Sequence, residues 1–219
     1  MTDCLYIGSR RYSSWSLRGW LAVRLAGLVV EEQVIALAGG DTPAVKAVSP
    51  SGMVPFLRHD GAAIWDSLAI LEYCAEYQPS LWPADRVARA HARAIAAEMH
   101  AGFRALRLAL PMKCDPVPSP RPIDPAVRAD IERIETIWAQ TRAQFAGGGA
   151  FLFGSVMSGA DIMYAPVVSR FLTYQPSLSA QSRAYGAAVR AHPLLEQWYQ
   201  AAQAEPLEWR IDRYEEMKQ

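Results

Sequence analysis

Every segment of this chain that reads as a β-strand lies before residue 66, and that asymmetry narrows the fold more than any other feature. Cys4-Leu5-Tyr6-Ile7 is a short apolar run closed by Gly8-Ser9, the pattern of a buried strand entering a loop. Ser13 to Ala26 carries Trp15, Leu17, Trp20, Leu21, Val23 and Leu25 at helical spacing, with Gly27 placed to end the helix. Val29–Leu37 is β-branched at its start and reads as a second strand, and Gly39–Pro43 is a turn that starts a helix. Phe56-Leu57 and Ala63-Ile64-Trp65 flank His59-Asp60-Gly61, whose Asp-Gly is a hairpin signal. Ser67–Tyr77 is helical, with Leu68, Leu71 and Ala75 on one face. The order β-α-β-α-β-β-α requires parallel strands in the first βαβ unit and an antiparallel edge from the hairpin.

From Asp85 onward only helices are expected. Ala88–Leu110 carries a stripe through Ile95, Met99, Phe103, Leu106 and Leu110 and reads as one helix. Residues 111–125 hold six of the 15 prolines, so no helix runs through them; the segment suits a lid, a partner contact or a surface excursion. Helix resumes at Val127–Phe145 and stops at Gly147-Gly148-Gly149, followed by helices at Ser158–Tyr174, Ala180–Arg190 and Leu194–Ala204. Ser158 and Asp161 form a capping-box pattern, with Met157 and Ile162 placed as a hydrophobic staple, a folding signal. The charged tail Glu208–Gln219 is expected to be solvated. The expected organisation is a small α/β domain over residues 1–80 and an all-helical domain over residues 86–219.

Composition removes several function classes. Lys plus Arg and Asp plus Glu each total 22, so no basic excess favours nucleic acid. The three cysteines form no CxxC and the histidines no HExxH, so neither a disulfide framework nor a metal centre is expected. The longest apolar runs fall short of the ~18–20 residues that span a bilayer, and the N-terminus lacks a secretory pattern. A reducing cytoplasmic setting follows as the expectation.

Three patterns in the first domain carry chemistry. Ser13-Ser14-Trp15-Ser16-Leu17-Arg18 opens the first helix, where unpaired amides and a hydroxyl suit an anion; a plain helix cap is the alternative. Ser51-Gly52-Met53-Val54-Pro55-Phe56 enters a strand through Val-Pro. A cis bond there would turn the Val54 backbone outward to pair with a peptide-like ligand, and an ordinary edge-strand proline is the alternative. Trp65-Asp66-Ser67 opens the third helix and offers a carboxylate and a hydroxyl to the two charges of an amino acid; again a cap is the alternative.

In this order and spacing, the three patterns resemble the glutathione transferase superfamily along essentially the whole chain. The resemblance implies a thioredoxin-like N-terminal domain, an all-α C-terminal domain and glutathione as co-substrate. It implies Ser13 as the residue that holds the sulfur, because Arg18 follows it by five positions as in zeta-like and omega-like members, with Ser14 sharing the task. Val54, Pro55, Asp66 and Ser67 would hold the peptide. Met53 stands where many members carry a polar residue, so Lys46 or Arg11 is the candidate replacement contact. Trp15 replaces the cysteine of the zeta Ser-Ser-Cys motif, which weakens a maleylacetoacetate isomerase assignment. Position 13 holds no cysteine for thiol exchange, so conjugation or isomerisation is implied.

A small hydrophobic electrophile is expected between the domains, lined by Met99, Phe103, Arg104 and Arg107 and flanked by Tyr12, Trp15 and Trp20. The family is usually homodimeric, and a homodimer is implied. Two alternatives accompany the transferase reading. One is a glutathione-dependent isomerase of a small dicarboxylate, with Arg11, Arg104 and Arg107 as candidate cations; the other is a non-catalytic binding module.

Overall fold

The computed structural model describes residues 2–115 and 117–215. Strands β1 (Cys4–Gly8), β2 (Glu31–Ile35), β3 (Phe56–His59) and β4 (Ala62–Trp65) form one four-stranded sheet in the order β2-β1-β3-β4. β1 and β2 are parallel, and β3 runs antiparallel to both β1 and β4. Asp60 and Gly61 make the β3–β4 turn with φ of 48° and 77°, the left-handed pair such a hairpin needs.

Strand alternation divides the packing. Leu5, Ile7 and Leu57 face α1 (Ser14–Leu25) and α3 (Ser67–Tyr77) in the main core. Cys4, Tyr6 and Phe56 point to the other face, where Val45 of α2 (Pro43–Val48) covers them. This is a thioredoxin-like arrangement. The helical remainder comprises α4 (Arg86–Ala101), α5 (Arg104–Ala109), α6 (Pro125–Phe145), α7 (Gly159–Tyr174), α8 (Ala180–Arg190), α9 (Pro193–Gln203) and α10 (Asp212–Glu215). No helix among the described residues is long and apolar enough to cross a membrane.

α7 is the central post of the helical part, and α1 packs against it. The Nε of Arg18 donates to the Met163 carbonyl at 3.0 Å, and the indole of Trp198 donates to the Arg10 carbonyl at 3.0 Å. One continuous apolar core therefore runs from the sheet through α1 into the helices. The connection between the two parts is held by Trp82, which is buried against Gly159; a Cβ at that glycine would lie 2.9 Å from the ring.

Three expectations are corrected. The single helix over Ala88–Leu110 is two helices, broken where Phe103 takes φ of 60°. Arg107 turns back and donates to the carbonyls of Met99, His100 and Gly102, satisfying acceptors that the break exposes. As a result Met99 and Phe103 sit in the core and Arg104 faces solvent. The proline-rich segment is not one exposed excursion. Met112 and Cys114 are buried, Tyr174 and Thr173 donate to the carbonyls of Pro111 and Lys113, and among the described residues of the segment only 117–120, 122 and 124–125 are exposed. Nor is the described part of the tail simply solvated. Ile211 is buried, and the Glu215 carboxylate accepts from Tyr12 Oη at 2.5 Å and from Lys113 Nζ at 3.1 Å. Residues 216–219 lie outside the described chain.

Gly19 sits where α1 meets the loop before β3, and a Cβ there would lie 2.7 Å from Pro55 Cγ. Gly19→Ala must displace Pro55 and with it Val54. We expect an overpacking cost of about 1–3 kcal/mol in urea unfolding. We also expect weaker binding of whatever ligand uses the Val54 backbone; unchanged stability would show that the loop yields freely.

Candidate functional site

Two adjoining clefts meet at Trp15, Ser51, Met53 and Val54. The larger has a volume of about 690 Å³ and is walled by Tyr12, Ser13, Ser14, Lys46, Arg107, Pro111, Met112 and Arg170, together with Ile211, Arg213 and Tyr214 of the tail. The smaller, about 310 Å³, reaches Pro55, Trp65, Asp66 and Ser67.

Ser13 caps α1. Its Oγ accepts from the Ser16 amide at 3.2 Å and donates to Ser16 Oγ at 2.7 Å, and Ser16 Oγ in turn accepts from the Gly8 amide at 2.9 Å. This chain ties the helix start to the end of β1 and fixes the Ser13 oxygen at the cleft wall. Its proton points to Ser16 in this state, but a hydroxyl rotor can redirect it. A charged acceptor in the cleft would form the stronger hydrogen bond. Ser14, beside it, accepts from Arg170 Nη2 at 3.3 Å.

The peptide bond between Val54 and Pro55 is cis. Among the described backbone hydrogen bonds outside helices and strands, none uses the Val54 amide or carbonyl. At the far end, Asp66 caps α3 with φ of 67°, its Oδ1 accepting from the Leu68 amide at 2.8 Å. Its Oδ2 lies 3.5 Å from His100 Nε2. Ser67 is 1% exposed and its Oγ has no hydrogen-bond partner among the described residues. A buried hydroxyl without a partner is costly, and this one lines the smaller cleft.

Between the clefts stands the Trp15 ring, with the Arg18 and Arg107 guanidinium carbons 4.7 Å and 4.9 Å from its centroid and the His100 ring edge-on at 5.2 Å. Arg18 is fully buried, and burial, reinforced by repulsion from Arg107 and Arg170, pushes its pKa well down. Burial also lowers His100, with Asp66 opposing and Arg18 and Arg107 adding to the shift. The seam between the domains is thus rich in desolvated positive charge.

The structure therefore brings Tyr12, Ser13, Ser14, Trp15, Lys46, Met53, Val54, Pro55, Asp66, Ser67 and Arg107 to one composite cleft. Met99, Phe103, Arg104 and Trp20 do not line it. Arg11 is turned away too, held by Asp115 and the Ala202 carbonyl, so it is no replacement contact for the peptide. Lys46 does reach the cleft, paired with Asp41 at 2.8 Å, and Met53 is 69% exposed at the junction. Sequence reasoning missed Arg170, the supporting Ser16 and the tail residues. A signal for Arg170 existed: it is a charge inside the apolar run of α7, the helix after the capping box.

A thioredoxin-like sheet with an all-helical partner and a cleft at the start of α1 defines the class. Residues 12–76 match the glutathione S-transferase N-terminal domain, and residues 124–201 match the glutathione S-transferase C-terminal domain. The chain is 30% identical to the maleylacetoacetate isomerase of Rattus norvegicus over 80% of this chain and 81% of that protein. It is 35% identical to a probable maleylacetoacetate isomerase of Caenorhabditis elegans over 47% of this chain, a match spanning 48% of that relative. A solved structure of maleylacetoacetate isomerase from Anaeromyxobacter dehalogenans with bound GSH superposes with a TM-score of 0.64 at 26% identity, covering 94% of this chain and 97% of that one. The chain belongs to the glutathione S-transferase family.

Proposed function

We propose that this protein binds glutathione and activates its thiol as a thiolate for transfer to a small electrophile. The observation that carries this reading is the unpartnered, buried Ser67 Oγ beside the Asp66 carboxylate, in a cleft continuous with Ser13. An amino acid's carboxylate satisfies Ser67, and its ammonium meets Asp66. The extended peptide then passes Val54, whose backbone groups pair with it as a strand would. The thiol arrives at the α1 N-terminus. There the Ser13 hydroxyl and the positive end of the helix stabilise the charged form and lower its pKa. Ser13 is a hydrogen-bond donor here and not a nucleophile, because no base stands beside it.

Calorimetric titration with glutathione tests the binding half. Asp66→Asn and Ser67→Ala should each weaken binding about 10-fold, the loss of one hydrogen bond involving a charged group. Absence of saturable binding at millimolar glutathione would favour the interaction-module alternative.

A second reading is favoured by Arg107 and Arg170. Both line the cleft, and neither makes an ion pair with a carboxylate among the described residues. A glutathione-dependent isomerase acting on an acidic substrate would use such cations, and the named relatives are isomerases. Of the three candidate cations for this activity, Arg107 alone faces the cleft, and Arg170 joins it. A homodimer is part of the same proposal, supported by the family resemblance alone.

A further inference from the structure

We propose that Ser14 and Arg170 form a donor pair for the oxygen of the electrophile that gains negative charge as sulfur adds, which makes the preferred acceptor a conjugated carbonyl compound. The inference rests on the glutathione reading above and divides the two adjacent serines between the two reactants.

Hydrogen-bond direction supplies the first argument. A guanidinium only donates, so in the contact between Arg170 Nη2 and Ser14 Oγ at 3.3 Å the serine oxygen accepts. The Ser14 proton is then left to point elsewhere, and no described hydrogen bond takes it. Ser14 lines the larger cleft, so that proton is available to an acceptor there. Ser13 is wired differently: both bonds of its hydroxyl run to Ser16, and none to Arg170.

Burial supplies the second. Arg170 is 4% exposed; its Nη1 donates to the Pro166 carbonyl at 3.0 Å, while its Nε has no partner among the described residues. Burial first, then repulsion from Arg107, pulls its pKa down to about 9. Packing has no need of such a charge: an apolar side chain would fill the same position in α7 at lower cost. A negative charge arriving in the cleft relieves both the desolvation and the mutual repulsion of the two guanidiniums. Preorganised donors of this kind act most strongly on charge that develops during reaction.

The step balances without any further reactant. The thiol proton leaves to solvent when the thiolate forms. A sulfur lone pair makes the C–S bond at the β-carbon, the C=C pair moves to join the α-carbon to the carbonyl carbon, and the carbonyl pair moves onto oxygen. Ser14 O–H and Arg170 N–H hold that oxygen. The α-carbon then takes a proton from water, the C=O bond re-forms, and a thioether results.

The test compares two acceptors on the full protein with glutathione saturating. One is a conjugated ketone, whose charge develops on oxygen. The other is an alkyl iodide, whose charge departs with the halide. Ser14→Ala should lower the ratio of kcat/KM for ketone over iodide at least about 10-fold. Arg170→Lys, which keeps the charge and loses the planar fork, should lower the same ratio less. Thiolate absorbance of bound glutathione, titrated against pH, should keep its midpoint in Ser14→Ala; a retained signal also shows that each variant is folded. Equal losses on both acceptors, or a shifted thiol midpoint in Ser14→Ala, would overturn this inference alone. No thiolate signal in the unaltered protein would overturn the glutathione reading and this inference together.

Discussion

Replacing Ser13 by alanine should lower turnover at neutral pH about 10- to 100-fold and raise the pKa of the bound thiol by about one to two units. The size follows from one hydrogen bond to a charged acceptor, worth about 1.5–3 kcal/mol, with each pKa unit equal to about 1.4 kcal/mol. The sign is that of a depressed acid: the donor favours the thiolate, so removing it returns the thiol toward the ~8.5 of free cysteine. Steady-state rates against pH and the thiolate absorbance should move together, and rates at high pH should converge on those of the unaltered protein. The same substitution removes the cap of α1, at a cost of about 1 kcal/mol in stability. Measuring the thiolate signal at a temperature well below unfolding keeps the two effects apart. A variant that retained both rate and thiol midpoint would transfer the sulfur-holding role away from Ser13.

The largest loss of stability is expected at Asp161, which lines neither cleft. Its Oδ1 accepts from the Leu152 amide at 3.0 Å and Tyr185 Oη at 2.9 Å, and its Oδ2 accepts from the Ser158 amide at 2.8 Å and Ser158 Oγ at 2.7 Å. The residue is fully buried. Alanine would strand all of these donors away from water, so Asp161→Ala should cost about 3–5 kcal/mol. Burial pushes the Asp161 carboxyl upward in spite of its donors. Asparagine therefore spares the burial of charge while losing acceptors at its amide nitrogen, and Asp161→Asn should cost less than Asp161→Ala. Urea unfolding with a constant m-value reads both. Equal stability of the alanine variant would show that water reaches the helix start.

These two residues illustrate what was legible in the sequence and why. Asp161 announces itself through local spacing: a serine three residues before it and apolar residues on either side of the box are all within one helical turn. The strands, the β3–β4 turn and α3 were readable for the same reason, since alternation and turn chemistry are properties of neighbours along the chain. The break at Phe103 was not. The apolar stripe through Met99, Phe103 and Leu106 continues across it, and the carbonyls it exposes are satisfied by Arg107, a side-chain route that periodicity does not report. That break is also why Met99, Phe103 and Arg104 fall outside the cleft while Arg107 enters it. The tail's charges suggest water, whereas Glu215 is claimed by Tyr12 and Lys113 from distant parts of the chain.

By itself the sequence determined the mixed sheet, the all-helical remainder and the α1 and α3 N-termini that offer Ser13 and Ser67, because each depends on the spacing of side chains a few residues apart. Only the tertiary structure decided which cations face the cleft, which hydroxyl is left with an unclaimed proton and which charges are turned away. Arg11, Arg104, Arg107 and Arg170 are alike as letters. Their roles separate when packing α1 against α7 strips water from some of them: Arg11 and Arg170 find partners more than a hundred positions away, Arg107 turns back on the carbonyls of its own helix break, and Arg104 stays in solvent.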